Sequence, residues 1–251
     1  MAGNILAVLL AAGTGSRLRP LTDNLPKCLL EVGGRPLLDY QLEALAAHGV
    51  TDLLVVTGHA AGEIARRYPR LRTVHDPEYA ATNNLHSLWT ARREFAGREF
   101  VCLHTDLLFH PAILGPCLDS RADVCVVLDP TLVEETMKAR VEDNRVVEIG
   151  KNIPKEKMFG TFLGIARFSA RAAAALPGVL DSLLTREENR QAYFTACLPA
   201  LAAKAFPATY TLTEGLPWVE IDSTADLQRA SDDVLPRLRS SRVKAESEKR
   251  L

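Results

Sequence analysis

The sequence predicts an α/β fold, doubly wound around a mostly parallel sheet, with an antiparallel lid inserted past its midpoint. Apolar runs of strand length alternate with segments of helical period, as expected when crossover helices join parallel strands. Between residues 129 and 168 the alternation gives way to short extended pieces, which read as a lid added to the sheet edge. The 47% apolar content of the 251-residue chain supplies enough material for a large core.

The elements follow in order. The apolar run from Ile5 to Ala12 has no basic residue before it and no small-residue cleavage site after it, so Ile5 to Leu10 is expected to be a buried first strand, not a secretion signal. Pro36 stands where a first helical residue belongs, and Leu38, Leu42 and Leu45 mark one face of a helix ending near Gly49. A compact unit comes next: a strand at 53–57, a short helix at 60–68 and a strand at 71–75. Residues 85–95 have helical period, and a strand at 100–103 runs straight into Thr105-Asp106. Beyond Pro111 lie a helix to about Leu118 and a strand at 124–128. The lid holds extended pieces at 140–141, 146–149 and 161–168. Helices at 170–184 and 189–204, strands near 208–212 and 218–221, and a helix from Thr224 to about Leu235 complete the pattern. Residues 1–235 thus read as one domain, and 236–251, charged and poor in apolar side chains, as a disordered tail.

Lys and Arg number 30 against 31 Asp and Glu, a net charge of -1, so no global field draws in nucleic acid or an anionic membrane. No apolar stretch is long enough to span a bilayer. The five cysteines are odd in number and widely spaced, without a C-x-x-C pair, which suits reduced core residues of a cytoplasmic protein. Oligomeric state is left open.

One stretch carries chemistry: "LLAAGTGSRLRPLTDNLPKCLLE", residues 9–31. A dinucleotide-binding loop needs a third glycine where Leu18 stands, and a P-loop needs a lysine directly after Gly15, so both common phosphate loops are excluded. After a buried strand, Gly13 and Gly15 let the backbone curl until successive N–H groups converge on an anion. Arg17 and Arg19 add charge, Arg17 being the better placed to fork onto phosphate oxygens. Pro20 and Pro26 stiffen the connection that delivers Lys27. Asp106 and Asp222 each follow an apolar strand, a position that can supply a metal ligand but for a lone Asp is more often a helix cap. Glu220 shares a strand face with Asp222 and reads as a supporting acid.

The run from Leu10 to Lys27 has the form L-A-A-G-x-G-x-R-L-x-P-L-T-x-x-x-P-K. In this it resembles the nucleotidyltransferases that join an NTP to a phosphorylated acceptor and release pyrophosphate, whose sheet is Rossmann-like and of the nucleotide-diphospho-sugar transferase type. The resemblance implies that Leu10, Ala11, Ala12, Gly13, Thr14, Gly15 and Ser16 wrap the nucleotide. It also implies that Arg17 binds the β- and γ-phosphates and that Lys27 holds the α-phosphate beside the acceptor. It further implies Mg²⁺, held by Asp106 and Asp222.

"YAATNNLHSLWTA" and "WVEIDSTADLQRA" resemble the small-acceptor members, the phosphocholine and phosphonate cytidylyltransferases. On that likeness Asn83 and Asn84 meet the pyrimidine or ribose, and Ser87 is small enough for a base to lie close; a turn before a helix is the competing explanation for the asparagines. "EETMKARVEDNRVVEIGKNI" resembles the family's lid, with Lys151 near the acceptor phosphate and Lys138 a weaker candidate for the same anion. Tyr193 and Trp218 offer aromatic surface for an acceptor head, with Glu220 beside them, while Thr136 stands where choline-activating relatives carry a tryptophan. A primary amine would call on Asp129, Glu134 or Glu135, and a carboxylate on Lys138, Arg140 or Lys155. His59, His75, His86, His104 and His110 show no metal or triad spacing and are assigned to structure or surface. The expected reaction is CMP transfer from CTP to a small phosphonate, with phosphocholine second. A sugar-1-phosphate enzyme using UTP or dTTP, and a non-catalytic nucleotide-binding subunit, are the alternatives.

Overall fold

The first strand, β1 (Leu6–Ala11), is buried at every position, as a strand covered on both sheet faces must be. Leu6, Val8 and Leu10 enter one core layer, and Ala7, Leu9 and Ala11 the other. The computed structural model describes residues 5–133 and 136–240. After β1 come a small ribbon of β2 (Glu31–Val32) and β3 (Arg35–Pro36), then α1 (Leu37–Ala47), β4 (Asp52–Thr57), α2 (Ala61–Arg67) and β5 (Arg72–His75). Next are α3 (Asn84–Thr90), α4 (Arg92–Phe95), β6 (Phe100–His104), β7 (Leu107–Phe109), α5 (Leu114–Leu118) and β8 (Val124–Asp129). The remainder comprises β9 (Lys138–Glu142), β10 (Arg145–Gly150), β11 (Gly160–Phe168), α6 (Ala170–Leu184), α7 (Cys197–Ala202), β12 (Ala208–Leu212), β13 (Trp218–Glu220) and α8 (Thr224–Arg229).

The expected α/β class holds, the described residues forming a nine-stranded sheet in the order β5-β4-β1-β6-β11-β8-β12-β10-β9. Strands β5, β4, β1 and β6 are parallel, as are β8 and β12. The largest departure from expectation is β11. Residues 161–168, assigned to an edge lid, lie at the centre of the sheet, antiparallel to both β6 and β8. All nine residues of β11 are buried, which an edge strand does not need. Only β9 and β10 form the outer hairpin.

Phe95, Phe100 and Phe168 stack on one another at centroid separations of 4.3 and 4.7 Å, tying α4, β6 and β11 into one layer. Each fully buried Leu or Phe here contributes roughly 1.5–3 kcal/mol. The five cysteines are buried thiols. Among the described residues no helix is long and apolar enough to cross a membrane.

Three smaller differences have local causes. The helix expected over 189–204 is a pair of 3₁₀ turns followed by α7, with Pro199 in the first turn of α7, where its missing N–H breaks no helical hydrogen bond. The strand expected at 218–221 does not join the main sheet: β13 pairs antiparallel with β7, placing Glu220 opposite Leu107. The tail expected from 236 is helical through Ser240, and 241–251 lie outside the described residues.

Candidate active site

The loop after β1 opens into a cavity of about 460 Å³. Gly15 holds the left-handed conformation (φ 62°, ψ 30°) and is followed at once by the 3₁₀ turn Ser16–Leu18. This left-to-right-handed sequence gives a concave row of amides, and the first amides of such a turn have no partner within it. The buried Thr22 hydroxyl donates to the Gly15 carbonyl at 2.8 Å, fixing the curl. Nothing among the described residues lies within 4 Å of where a Cβ on Gly13 would sit, so this glycine leaves open space beside the loop. Gly58 is different: a Cβ there would come within 2.6 Å of both the Ala12 carbonyl and the Tyr79 ring, which lines the cavity.

Lys27 enters on a 3₁₀ turn that starts after Pro26. Its ammonium donates to Asp106 Oδ2 at 2.9 Å and to Asp222 Oδ1, while Arg17 grips Asp222 Oδ2 at 2.7 Å. Burial would lower the lysine pKa, but the two carboxylates outweigh it and the net shift is upward. Burial likewise pushes Asp106 up, and the Lys27 ammonium, by its charge and its hydrogen bond, more than reverses it. The ribbon β7–β13 brings the acids together, with the Ile221 amide donating to the Asp106 carbonyl at 2.8 Å. Ser223 and Asp226 form the capping box of α8, which releases the Asp222 carboxylate for the site.

Two buried polar groups position Asp106. Gln41 of α1, fully buried, donates to the carbonyls of His104 and Leu107 at 3.0 and 2.9 Å. Thr105 donates to the Leu10 carbonyl at 2.9 Å, joining the Asp106 turn to the end of β1.

Along α3, Asn83 is the N-cap, its Oδ1 accepting from the Asn84 amide at 2.8 Å. Asn84 is engaged at both ends: Oδ1 accepts from the Phe194 amide at 2.7 Å, and Nδ2 faces His104 Nε2 at 3.0 Å. Because Nδ2 can only donate, His104 Nε2 accepts and the ring is neutral, in keeping with burial lowering its pKa. Both asparagines still line the cavity, as does Ser87.

Of the remaining predicted residues, Leu10, Ala12, Thr14, Ser16, Thr136, Lys151, Tyr193 and Glu220 also line it. Ala11 faces the core instead. Lys138 is corrected: it is buried, and its ammonium donates to Thr136 Oγ1 at 2.8 Å, to the Thr136 carbonyl at 3.0 Å and to the Val133 carbonyl. It braces the turn before β9 instead of facing an acceptor. Trp218 is likewise buried, its Nε1 donating to Asp129 at 2.8 Å, and it borders an adjoining cavity of about 230 Å³ that also includes Thr136 and Arg17. Asp129 also accepts from Thr131 and Thr213, so it is not available to an amine. Arg140 is paired with Glu142 and Glu148. Glu134 and Glu135 lie outside the described residues. Tyr79, Thr82, His104 and Gln191 line the cavity without having been singled out as site residues; the only signal pointing to Tyr79 was its closeness in sequence to Asn83.

Residues 7–136, more than half of the chain, match the MobA-like NTP transferase domain. The chain belongs to that family. It is therefore a nucleotidyltransferase-family protein, and relatives span different acceptors. The CTP:phosphoglutamine cytidylyltransferase of Campylobacter jejuni is 23% identical over 247 residues, covering 88% of this chain and 97% of that one. The CMP-5'-(3-aminopropyl)phosphonate synthase of Streptomyces rubellomurinus is 40% identical over 118 residues, 44% of this chain but 18% of that protein. Among solved structures, the CTP:phosphocholine cytidylyltransferase of Streptococcus pneumoniae superposes with a TM-score of 0.74 at 24% identity, covering 91% of this chain and 98% of its own. That last likeness bears on the MobA-like fold alone.

Whether this MobA-like site suits a divalent ion can be tested on its donors. One ring nitrogen of His104 and one carboxylate oxygen each of Asp106 and Glu220 lie within 4.8 Å of one another; the His104 lone pair is taken by Asn84 Nδ2, so the two carboxylates are the available ligands. Among the described residues, the buried Asp106 Oδ1 has no hydrogen-bond partner. Burial, then Asp106 and Asp222, push the Glu220 carboxyl up to about 8. A hard cation with oxygen ligands fits these groups. The expected pair was Asp106 and Asp222; here Asp222 is held by Lys27 and Arg17, and Glu220 joins Asp106 in its place.

Proposed function

We propose that the chain is a cytidylyltransferase that moves CMP from CTP to a small phosphonate or phosphate monoester and releases pyrophosphate. One observation carries the reading: Arg17, Asp222, Lys27 and Asp106 form a continuous line of alternating charge at the mouth of the β1 loop. Two anions have to meet for the reaction to occur, and cations held at fixed positions screen their repulsion and stabilise charge building on the leaving group. An acceptor oxygen attacks the α-phosphorus, the bond from that phosphorus to the bridging oxygen breaks, and pyrophosphate leaves with the electron pair. The acceptor is already anionic, so no covalent enzyme intermediate is needed.

In this reading Gly13 to Ser16 receive the triphosphate, Arg17 its β- and γ-phosphates, and Lys27 the α-phosphate and acceptor. Asp106 and Glu220 would hold Mg²⁺, whose charge would neutralise the phosphates, and Asp222 would join them once the nucleotide releases it from Lys27 and Arg17. The carboxylates meanwhile keep Lys27 and Arg17 aligned, and phosphate oxygens take over those contacts on binding. Lys151 reaches the acceptor phosphate from the far side. Residues 1–235 act as one nucleotidyltransferase domain.

A phosphonate ranks above phosphocholine because the aromatic surface is incomplete. Thr136 offers no ring, and Tyr193 already carries the Lys151 ammonium 5.6 Å from its centroid. Incubation with each NTP, Mg²⁺ and a panel of aminoethylphosphonate, phosphonoformate, hydroxyethylphosphonate, phosphocholine and glucose-1-phosphate, following pyrophosphate, tests the proposal. CTP with a phosphonate should give the fastest release. Release confined to UTP or dTTP with the sugar phosphate would refute it, and silence with every pair would favour a non-catalytic binding protein.

A further inference from the structure

Behind the α3 wall lies a carboxylate to which the proposed reaction assigns no task. Asp76 has no exposed surface. Its Oδ1 accepts the Nδ1–H of His86 at 2.8 Å and the Glu78 backbone N–H at 3.0 Å, and its Oδ2 accepts the Ser87 hydroxyl at 2.8 Å. A carboxylate buried this deeply needs every one of these donors.

The consequence falls on Ser87, which borders the cavity. A serine hydroxyl has one proton and two lone pairs. With its proton committed to Asp76, Ser87 presents only lone pairs to a ligand. We propose that Asp76 is a positioning residue that makes Ser87 an obligate hydrogen-bond acceptor, and that this selects a base edge carrying a donor. The 4-amino group of cytosine donates; the 4-oxo group of uracil or thymine only accepts. Two acceptors facing each other across a closed contact leave both unsatisfied, and such a mismatch discriminates more strongly than a missing methyl group does. This rests on the cytidylyltransferase reading and supplies that reading with its choice of nucleotide.

The substitution Asp76→Asn makes a sharp test. The Glu78 N–H still requires an acceptor, so the new amide turns its oxygen to Glu78 and its NH₂ to Ser87. The serine then accepts from residue 76 and its proton points into the cavity. Dissociation constants for CTP and UTP, measured by calorimetry with Mg²⁺, give the readout. Wild type should prefer CTP; in D76N the CTP-to-UTP preference should fall by at least about tenfold, with UTP binding more tightly than it does to wild type. S87A removes the acceptor altogether and should lower the preference through CTP alone. A structural role for Asp76 would weaken both nucleotides equally, and an unchanged ratio in D76N overturns the inference. Should D76N fail to fold, an unchanged ratio in S87A overturns it. A wild type that prefers UTP refutes the cytidylyltransferase reading as well, whereas a CTP-preferring wild type with both variants unchanged refutes this inference alone.

Discussion

On the side of the cavity proposed to receive the nucleotide, polar groups are held by contacts of 2.7–3.0 Å: Thr22 on Gly15, Arg17 on Asp222, and Asn84 on Phe194 and His104. On the facing side, Lys151 is exposed and rests 5.6 Å from the Tyr193 ring centroid. The cation of that side that is tightly bound, Lys138, braces its own turn. The contrast suits the roles proposed for the two sides. Stabilising a transition state requires dipoles and charges fixed in advance, whereas receiving an acceptor requires only that a few side chains be able to meet it. The nucleotide side is therefore expected to punish small changes, and the acceptor side to redistribute affinity.

Substitutions can break or sharpen that contrast. The largest expected effect is at Lys27, where Lys27→Ala should lower kcat by roughly 10²–10³-fold, with circular dichroism showing the fold retained. Turnover near the wild-type level would remove the basis for a fixed cation line. Gly58→Ala forces a methyl within 2.6 Å of the Ala12 carbonyl and the Tyr79 ring. It should cost about 1–3 kcal/mol in thermal unfolding and weaken CTP binding. A silent Gly58→Ala would show the nucleotide side to be softer than its contacts imply.

Gln41→Leu keeps the bulk of a buried side chain but leaves the His104 and Leu107 carbonyls without its amide, at a cost of about 1–3 kcal/mol. Because those carbonyls flank Asp106, kcat should fall more than the KM for CTP rises. An equal change in the two would mean that Gln41 serves packing alone. The smallest effect belongs to the open side. Lys151→Ala should raise the KM for the acceptor by roughly fivefold, an effect of about 1 kcal/mol, and leave the KM for CTP unchanged.

Legibility in the sequence divides along a similar line. Strand β1, the glycine turn, Arg17 and Lys27 were readable because they lie within one stretch and their spacing is itself the chemistry. The roles of Asn83 and Asn84 were half readable: the N-cap accounts for Asn83, but nothing local shows that Asn84 bridges to Phe194 and His104. Lys138 misled because the charge of a lysine in an amphipathic strand says nothing about whether its ammonium turns inward to nearby carbonyls. The central position of β11 was hidden for a related reason. A short apolar run suits an edge or an interior equally well, and which it becomes depends on partners such as β6 and β8, drawn from elsewhere in the chain.

By itself the sequence determined the α/β class and the cation-bearing loop, since both rest on local periodicity and on residues close together in the chain. Only the tertiary structure decided how the acids are shared. Asp106 and Glu220 come together because β7 pairs with β13, and Asp222 becomes the seat of Lys27 and Arg17 because a capping box occupies Ser223 and Asp226 instead. It also decided that Ser87 donates its proton to Asp76. Those outcomes depend on hydrogen bonds between groups brought close only by folding, and no spacing along the chain encodes them.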